Sequence, residues 1–200
     1  MIKTIFFDLN KVLVTYENIN LNDEYLELIG YSQKEFWSAG KDYFIDYVIG
    51  KIHLKEFLMK IFEKLNIDIN LLDEIIRLHE KNFSLVEGIY EIVEKLEGKY
   101  DLILLAGDGE ESLNFKLDNF NLRHFFKKIY ATCFEGILKG EEDFYLRVLR
   151  KENLVPLECL FIDDMDSHIF TATKLGINTI QFENSFQLEK ELIKNNLIRP

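Results

Sequence analysis

Three carboxylates directly follow two short apolar runs, one near the start of this sequence and one in its last quarter. Asp8 comes after Ile5-Phe6-Phe7, and Asp163-Asp164 come after Leu160-Phe161-Ile162. Such runs predict buried strands, and in an open α/β sheet ligands bind where the parallel strands end. Carboxylates brought together at that edge repel one another unless a cation or a proton lies between them. Oxygen ligands favour a hard divalent cation, and we expect Mg²⁺.

Strand-like and helix-like segments alternate over most of the chain. The β-rich or apolar runs are residues 2–8, 101–106, 128–133, 159–163 and 178–182. Helical spacing of apolar residues separates the later runs, at Glu110–Phe120, Glu141–Lys151, Ser167–Leu175 and Phe186–Asn195. This alternation predicts an α/β fold, with a doubly wound, parallel, Rossmann-like sheet that is covered by helices on both faces.

The stretch after the first strand has a different pattern. Residues 15–87 show helical apolar spacing and no clear strand, and the predicted helices are Tyr25–Ile29, Lys34–Ile49, His53–Leu65 and Leu71–Phe83. We expect residues 15–87 to form a helical cap over the C-terminal edge of the sheet, and residues 1–14 and 88–200 to form the core. Aromatic residues recur along one of these helices, where packing is the default interpretation and a substrate-facing subset the alternative: Trp37, Tyr43, Phe44 and Tyr47.

Four segments of the chain carry a family pattern. Phe6–Leu13 and Leu160–Asp164 contain the carboxylates, Gly136–Lys139 contributes a lysine, and residues 172–180 read as a helix, a glycine and a strand. Together they resemble the first, fourth and third motifs of the haloacid dehalogenase (HAD) superfamily of phosphatases and related hydrolases, with the segment that follows its fourth motif. Similar proteins carry a cap between the first and second motifs, and the cap usually shapes substrate choice.

The resemblance implies a role for each matched residue. Asp8 would be the nucleophile that attacks phosphorus and forms an aspartyl-phosphate, with a metal screening its charge. Lys139 would neutralise phosphoryl charge and orient Asp8. Asp164 would ligate Mg²⁺ directly, Asp163 directly or through water, and Asn10 through its backbone carbonyl. Taken singly, Asp8 could instead cap a turn and Lys139 could lie at the surface.

Asn10 departs from the family pattern. Most phosphatases of this kind have a second Asp there, which protonates the leaving group and later activates water. A neutral amide cannot shuttle a proton, and losing general acid–base help costs about 10²–10⁴-fold in rate. Some branches of the family also lack this Asp, so Asn10 weakens the hydrolase prediction without excluding it.

A second departure follows the run at residues 101–106. Ala106 stands where the family has a Ser or Thr hydroxyl that holds a phosphoryl oxygen, although the backbone N–H of Gly107 could still donate. Asp108, Glu110 and Glu111 add negative charge close by. In the structural interpretation, Asp108 caps the next helix and the glutamates favour its first turn. In either case we expect the local charge to favour phosphate binding less than it does in the usual site of the family.

The four histidines show no metal-ligand spacing. His53, His79 and His124 are scattered among helical segments, where partly buried or surface positions are expected. His168 follows the fourth motif closely, so it could hydrogen-bond the acids there. A solvent-facing histidine in the first turn of a helix is the alternative.

Composition limits the partners. The 200 residues are 48% hydrophobic with a net charge of −11, which is typical of a soluble globular domain and argues against nucleic acid or an anionic membrane as partner. No apolar stretch approaches the roughly 20 residues that span a bilayer. Cys133 and Cys159 are expected to be reduced core residues, which favours a cytoplasmic protein. The oligomeric state is left open.

The leading prediction is therefore a Mg²⁺-dependent HAD-like phosphatase that acts on a small phosphate ester. Two alternatives stay open. Asn10 and Ala106 together favour a catalytically attenuated HAD-fold protein that binds a ligand or partner without turnover. A dehalogenase-like hydrolase would also lack the second motif-one Asp, but it would normally keep the serine at position 106 and would need no metal.

Overall fold

A five-stranded parallel sheet forms the centre of the molecule, in a computed structural model that describes residues 1–16 and 27–199. The strands of the described part are β1 (Thr4–Phe7), β2 (Val14–Tyr16), β3 (Phe83–Leu85), β4 (Asp101–Ala106), β5 (Lys128–Ala131), β6 (Cys159–Asp163) and β7 (Asn178–Gln181). The sheet order is β5-β4-β1-β6-β7, and β2 and β3 form a separate antiparallel pair. The predicted α/β fold with a parallel, Rossmann-like sheet is confirmed.

Helices cover both faces of this sheet. In the described ranges they are α1 (Gln33–Val48), α2 (Leu54–Leu65), α3 (Leu72–Glu80), α4 (Ile89–Leu96), α5 (Glu110–Asn119), α6 (Thr132–Glu135), α7 (Glu142–Lys151), α8 (Asp166–Lys174) and α9 (Ser185–Lys194). Short 3₁₀ turns lie at Ile69–Leu71, Arg123–Phe125 and Pro156–Glu158, and residues 27–29 are also helical. None of the helices in the described residues is long and apolar enough to span a bilayer.

The strands are buried on both sides because successive side chains point to opposite faces. Ile5 and Phe7 of β1 pack in one apolar cluster with residues of α4, α5 and α9. Phe6 packs in another cluster with residues of α7 and α8 on the opposite face. This burial on both faces explains why the strands appear in the sequence as continuous apolar runs. Packing on both faces also holds in place the strands whose ends carry the carboxylates.

The central position of β1 determines which loops meet. Phe7 pairs with Leu104 of β4 on one side and with Ile162 of β6 on the other. Because parallel strands in register end at one edge, the loops after β1, β4 and β6 lie side by side. Asp8, Gly107 and Asp164 each come directly after one of these three strands.

Helices α1, α2 and α3, here called the inserted helices, have an apolar cluster of their own that includes Phe36, Phe57 and Ile75. A capping box fixes the start of α1, since the Ser32 side chain accepts from the Glu35 amide and the Glu35 carboxylate accepts from the Ser32 amide. Three of the four helices predicted for this stretch are present, and the described residues 27–29 of the first predicted helix are helical as well. The division into a core and a cap at residues 14/15 and 87/88 stays a prediction.

Two details of that stretch differ from the prediction. The helix expected at residues 71–83 ends at Glu80, and Phe83 begins β3, which pairs antiparallel with β2. Strands of three residues are too short to show an alternating pattern, so no strand was predicted at these positions. Tyr25 and Leu26 of the first predicted helix lie outside the described residues.

The two cysteines are not joined. Cys159 begins β6 and is buried, whereas Cys133 lies in the short helix α6 rather than in a strand, where the apolar run had suggested it. Burial raises the pKa of Cys133 to about 12 and that of Cys159 to about 11, so neither thiol is poised to react near neutral pH.

Candidate active site

The three predicted carboxylates meet at the carboxyl edge of the sheet. Asp8 lies one residue beyond β1, Asp163 ends β6, and Asp164 follows it. The Asp8 amide donates to the Ile162 carbonyl at 2.9 Å, which ties the two strand ends together. One carboxylate oxygen from each acid lies within 4.8 Å of the other two. Asp8 and Asp163 are buried, and Asp164 is partly exposed.

Lys139 lies between two of these acids. Its Nζ donates to Asp8 Oδ1, lies 2.8 Å from Asp163 Oδ2, and approaches the Leu105 carbonyl at 3.3 Å. The side chain is only 3% exposed, so the alternative of a surface lysine is wrong. A buried lysine needs such partners, because an unpaired charge in the interior is costly.

Burial and charge pull in opposite directions on these groups. Burial raises the pKa of Asp8 to about 6, against the opposing attraction of Lys139. For Lys139 burial lowers the pKa, but the attraction of Asp8 and Asp163 outweighs it, so the net pKa is raised. For Asp163 burial raises the pKa, but hydrogen bonding from His168 and the charge of Lys139 outweigh it and lower the pKa.

Asp163 is engaged on both of its oxygens. The Met165 amide donates to Oδ1 at 2.7 Å, and His168 Nδ1 lies 3.1 Å from both oxygens. Of the two predictions for His168, the structure therefore favours a hydrogen bond to the acids, here to Asp163, over a position facing solvent. Asp164 is less engaged, since its Oδ2 has the exposed Lys11 ammonium at 3.6 Å.

The donor set suits a divalent cation. Three carboxylates face one buried ammonium, Lys139, and the exposed Lys11 ammonium approaches only Asp164, so the cluster keeps an excess of negative charge. Carboxylate oxygens are the ligands that Mg²⁺ prefers, and a divalent cation would offset that excess. Asp164 and Asp8 have the most coordination capacity left, because Asp163 already accepts from Lys139, Met165 and His168.

The loop after β1 turns back tightly at Asn10. Lys11 has a positive φ of 64°, the Leu13 amide donates to the Leu9 carbonyl at 2.9 Å, and the Lys11 amide donates to the Val14 carbonyl at 2.7 Å. This closed turn fixes the backbone of Asn10 two residues after Asp8. It is compatible with the predicted use of the Asn10 carbonyl as a metal ligand, which stays a prediction.

Ala106 and Gly107 differ in what they present to the site. Ala106 is fully buried in the sheet cluster, and its methyl group offers no hydrogen bond to a ligand. Gly107 lies beside Lys139, because a Cβ built on Gly107 would be 3.9 Å from Lys139 Cβ. The loop after β4 therefore borders the buried lysine, as the resemblance implies.

One charged residue of this region was missed by the sequence interpretation. Lys116 of α5 is fully buried, and its Nζ lies 2.5 Å from Asp108 Oδ2 and 2.7 Å from Asn10 Oδ1. The ammonium also lies over the Phe83 ring, 4.4 Å from the ring centroid. A lysine in the interior of a predicted helix is normally expected at the surface. The pairing of Lys116 with Asp108 is therefore visible only in the folded structure.

Lys116 changes the interpretation of Asp108. The negative charge of Asp108, expected to disfavour phosphate, is paired with this ammonium inside the protein. Asp108 also does not cap α5, because Gly109 is the N-cap residue and the Asp108 Oδ1 accepts from the Gly109 amide at 3.0 Å. Glu110 and Glu111 lie in the first turn of α5, as expected.

A cavity of about 120 Å³ lies between the inserted helices and this end of the sheet. Asn10, Gly107 and Asp108 border it on the sheet side. The opposite wall is aromatic, with Phe36, Trp37, Phe44, Tyr47 and Phe57. Three of the four aromatics singled out in the sequence thus line a cavity beside the candidate site.

Comparison with known proteins agrees with this architecture. The family model for haloacid dehalogenase-like hydrolases matches residues 2–174. Flavin mononucleotide hydrolase 1 of Arabidopsis thaliana is 26% identical over 149 residues, which are 74% of this chain and 60% of the relative. Acyl-CoA dehydrogenase family member 10 of Mus musculus is 34% identical over 67 residues, which are 34% of this chain and 6% of the relative. The chain therefore matches less than two thirds of each of these curated relatives.

Solved structures share the fold. A HAD family enzyme of Bacteroides thetaiotaomicron, in complex with magnesium and inorganic phosphate, superposes with a TM-score of 0.80 at 21% identity, covering 92% of this chain and 96% of its own. The L-2-haloacid dehalogenase of Xanthobacter autotrophicus superposes with a TM-score of 0.66 at 16% identity. The superposition covers 100% of this chain and 85% of the dehalogenase chain. With the family match spanning most of the sequence, this chain belongs to the haloacid dehalogenase-like hydrolase family.

Proposed function

We propose that this protein is a Mg²⁺-dependent phosphatase of small phosphate esters. The observation that carries the proposal is the cluster of Asp8, Asp163 and Asp164 around buried Lys139, at the edge where the loops after β1, β4 and β6 meet. The magnesium and phosphate bound by the Bacteroides thetaiotaomicron enzyme, and the activity named for the Arabidopsis thaliana relative, support a phosphate ester as substrate.

Each residue has a definable task in this proposal. Asp8 attacks phosphorus, and Lys139 holds the Asp8 carboxylate in place and balances phosphoryl charge. Asp164, Asp8 and the Asn10 carbonyl would hold the metal, with Asp163 bound directly or through water. The metal, when bound, supplies charge compensation for the incoming phosphate. The Gly107 N–H would donate to a phosphoryl oxygen, and Ala106 shapes the apolar floor behind it.

The reaction has two steps on this arrangement. An Asp8 oxygen forms a bond to phosphorus while the ester P–O bond breaks with its electron pair on the leaving oxygen, which takes a proton from solvent and leaves as the alcohol; an aspartyl-phosphate remains. Water then attacks that phosphorus and gives its proton to solvent, the bond to Asp8 breaks, the Asp8 carboxylate is restored and inorganic phosphate is released. Lys139 also pairs with Asp163, so it keeps a charged partner when Asp8 loses its charge on forming the aspartyl-phosphate.

The experiment is phosphate release from a panel of phosphate esters, with Mg²⁺ and with a chelator. We expect activity that needs the metal and that falls by about 10³-fold or more in Asp8→Asn, the scale seen when a hydrolase loses its nucleophile. Asp143→Asn, an exposed acid on α7, is the matched control and should keep full activity. Circular dichroism and thermal melting establish that both variants are folded.

Asn10 and Ala106 favour a second candidate, a HAD-fold protein that binds a ligand without turnover. Under it, the folded protein would release no phosphate above Asp8→Asn, and a phosphate ester or phosphate itself would still bind in calorimetry. Metal-independent release of halide from 2-haloacids would instead favour a dehalogenase. The same protein preparations therefore separate all three functions.

A further inference from the structure

The side chain of Asn10 is held on both ends. Its Oδ1 accepts from the Lys116 ammonium at 2.7 Å, and its Nδ2 faces Asp108 Oδ2 at 3.5 Å. The amide orientation is set by these partners, because only the oxygen can accept from an ammonium. Asn10 therefore offers no proton, and it cannot rotate freely to let another group take its place.

The neighbouring carboxylate does not supply the missing proton either. Asp108 Oδ2 accepts from Lys116 and Asn10, and Asp108 Oδ1 accepts from the Gly109 amide. A carboxylate that accepts on both oxygens acts as an acceptor, since a protonated one would have to turn a hydrogen toward one of these donors. Lys116 itself is fully buried and does not border the cavity.

The other polar groups at the cavity are poor acids. Burial, with the charge of Lys116, lowers the pKa of His79 to about 4, so its ring is neutral near pH 7. Burial also raises the pKa of Tyr47, whose hydroxyl is buried and has no hydrogen-bond partner in the described residues. The described part of the chain thus places no ready proton donor between the cavity and the phosphate site.

The cavity indicates what part of a substrate it would take. Its volume of about 120 Å³ is close to the roughly 150 Å³ of an apolar cavity that accepts benzene. Its wall is aromatic, and Asp108, the one carboxylate among the described lining residues, is already paired with Lys116. A compact, uncharged ring therefore fits, whereas the charged phosphate belongs with Lys139 and the acids outside it.

We propose, on the basis of the phosphatase function above, that the substrates are phosphate esters of acidic hydroxyl groups carried by a compact ring, of which an aryl phosphate is the simplest. An ester of this class leaves as a stable anion and needs no general acid. The aromatic cavity beside Asn10 holds its ring, and the fixed amide of Asn10 contacts the leaving oxygen without protonating it.

The steps balance without a proton donor from the protein. Asp8 forms the bond to phosphorus, and the ester bond breaks with its electron pair on the aryl oxygen. The phenolate leaves and takes a proton from solvent water. In the second step the attacking water gives its proton to solvent, and phosphate and the Asp8 carboxylate are released.

The test compares phenyl phosphate with cyclohexyl phosphate. The two rings are similar in size, but phenol has a pKa of about 10, as in tyrosine, whereas a simple alcohol is a far weaker acid, with a pKa closer to that of water. The measurement is kcat/KM, which reports steps up to the first P–O cleavage. We expect phenyl phosphate to be favoured by about 10²-fold or more, the help that a general acid would otherwise give.

Binding is measured separately in Asp8→Asn, which is expected to bind both esters within a few-fold. That result places the discrimination in the chemical step rather than in recognition of aromaticity. A series of substituted phenyl phosphates adds a second readout, since kcat/KM should rise steeply as the leaving phenol becomes more acidic.

The outcomes separate this inference from the proposed function. A preference above tenfold with a steep leaving-group series supports it. Turnover of both esters within tenfold, or a flat series, overturns it while leaving the phosphatase intact. No Mg²⁺-dependent release from any ester, 4-nitrophenyl phosphate included, means that the phosphatase proposal itself has failed.

The ring site is tested with Val48→Phe, which adds volume to the cavity wall. We expect it to raise KM for phenyl phosphate by tenfold or more and to leave acetyl phosphate unchanged, because that ester has an acidic leaving group but no ring. Unchanged acetyl phosphate turnover also shows that the variant is folded. Equal effects on the two esters would contradict the placement of the ring.

Discussion

At the scale of single residues, the site is organised by two buried lysines. Lys139 pairs with Asp8 and Asp163 on one side of the loop after β1, and Lys116 pairs with Asp108 on the other side. Each lysine stabilises carboxylates that could not lie in the interior alone. The acids around Lys139 keep an excess of negative charge that a cation could offset. The pair of Lys116 and Asp108 is neutral, and Asp108 lines the cavity.

Replacing Lys139 by Met should expose the charge imbalance of the acids. The variant leaves Asp8 and Asp163 without their ammonium partner, so we expect a loss of about 3–5 kcal/mol in the free energy of unfolding without metal. Mg²⁺ should recover more stability in this variant than in the natural protein, because it replaces the missing charge. Denaturant unfolding with and without Mg²⁺ measures both values.

The control is Lys127→Met, which removes an exposed ion pair with Asp101. Exposed pairs contribute less than about 1 kcal/mol, so this variant should unfold close to the natural protein with or without Mg²⁺. A Lys139→Met variant as stable as the control would show that the acids do not depend on the lysine.

Replacing Lys116 by Met should also destabilise the protein, by about 3–5 kcal/mol, because Asp108 would be left buried and unpaired. Adding Asp108→Asn to Lys116→Met should recover part of that loss, since the second change removes the isolated charge. A double-mutant cycle from urea unfolding gives the coupling between the two side chains. Strictly additive losses would mean that the pair does not act as a unit.

At the scale of elements, a close contact joins the inserted helices to the start of α5. Tyr47 near the end of α1 lies against Gly109 at the start of α5, and its ring stacks on Phe57 of α2 with centroids 5.2 Å apart. A Cβ at Gly109 would lie 2.1 Å from Tyr47 Cζ, so only glycine permits this approach. Tyr47 also lines the aromatic cavity.

We expect Gly109→Ala to push the Tyr47 ring away and to cost about 1–3 kcal/mol in unfolding free energy, as overpacking does. It should also raise KM for ring-bearing esters. Gly107→Ala is a matched control for stability, because its Cβ would meet nothing closer than 3.9 Å. Adding Tyr47→Ala to Gly109→Ala should cost less than the two separate losses combined, and a fully additive loss would argue against the clash.

At the scale of the whole molecule, Mg²⁺ should bind the folded state and raise the melting temperature. At about 100 times Kd a ligand adds roughly 2.7 kcal/mol, which for a chain of this size is a shift of several degrees. Asp164→Asn should remove most of the shift. Thermal melts over a Mg²⁺ titration provide the measurement, with Ca²⁺ in parallel.

The shift should depend on pH with a defined sign. Burial raises the pKa of Asp8 to about 6, so the proton competes with the cation for this carboxylate below that pH. The Mg²⁺-induced rise in melting temperature should therefore shrink as pH falls from 7 to 5. A shift that stays constant over this range would argue against Asp8 as a ligand.

The order of residues along the chain was enough to predict the sheet and the positions of its acids. Apolar runs that are buried on both faces predict parallel strands, and carboxylates that follow such strands fall at one edge, as Asp8, Asp163 and Asp164 do. The lysine at position 139 was expected near Asp8 from the family resemblance alone. These features are local or follow from strand order, so a linear pattern carries them.

The pairing of charges and the shape of the cavity depend instead on how distant segments pack together. Nothing in the spacing of Asn10, Asp108 and Lys116 indicates that they meet, because their contacts cross 8 to 106 positions of sequence and depend on how α5 packs beside the loop after β1. The short strands β2 and β3 were likewise invisible. Contacts between distant segments form because burial selects partners in space, and that selection leaves no periodic trace in the sequence.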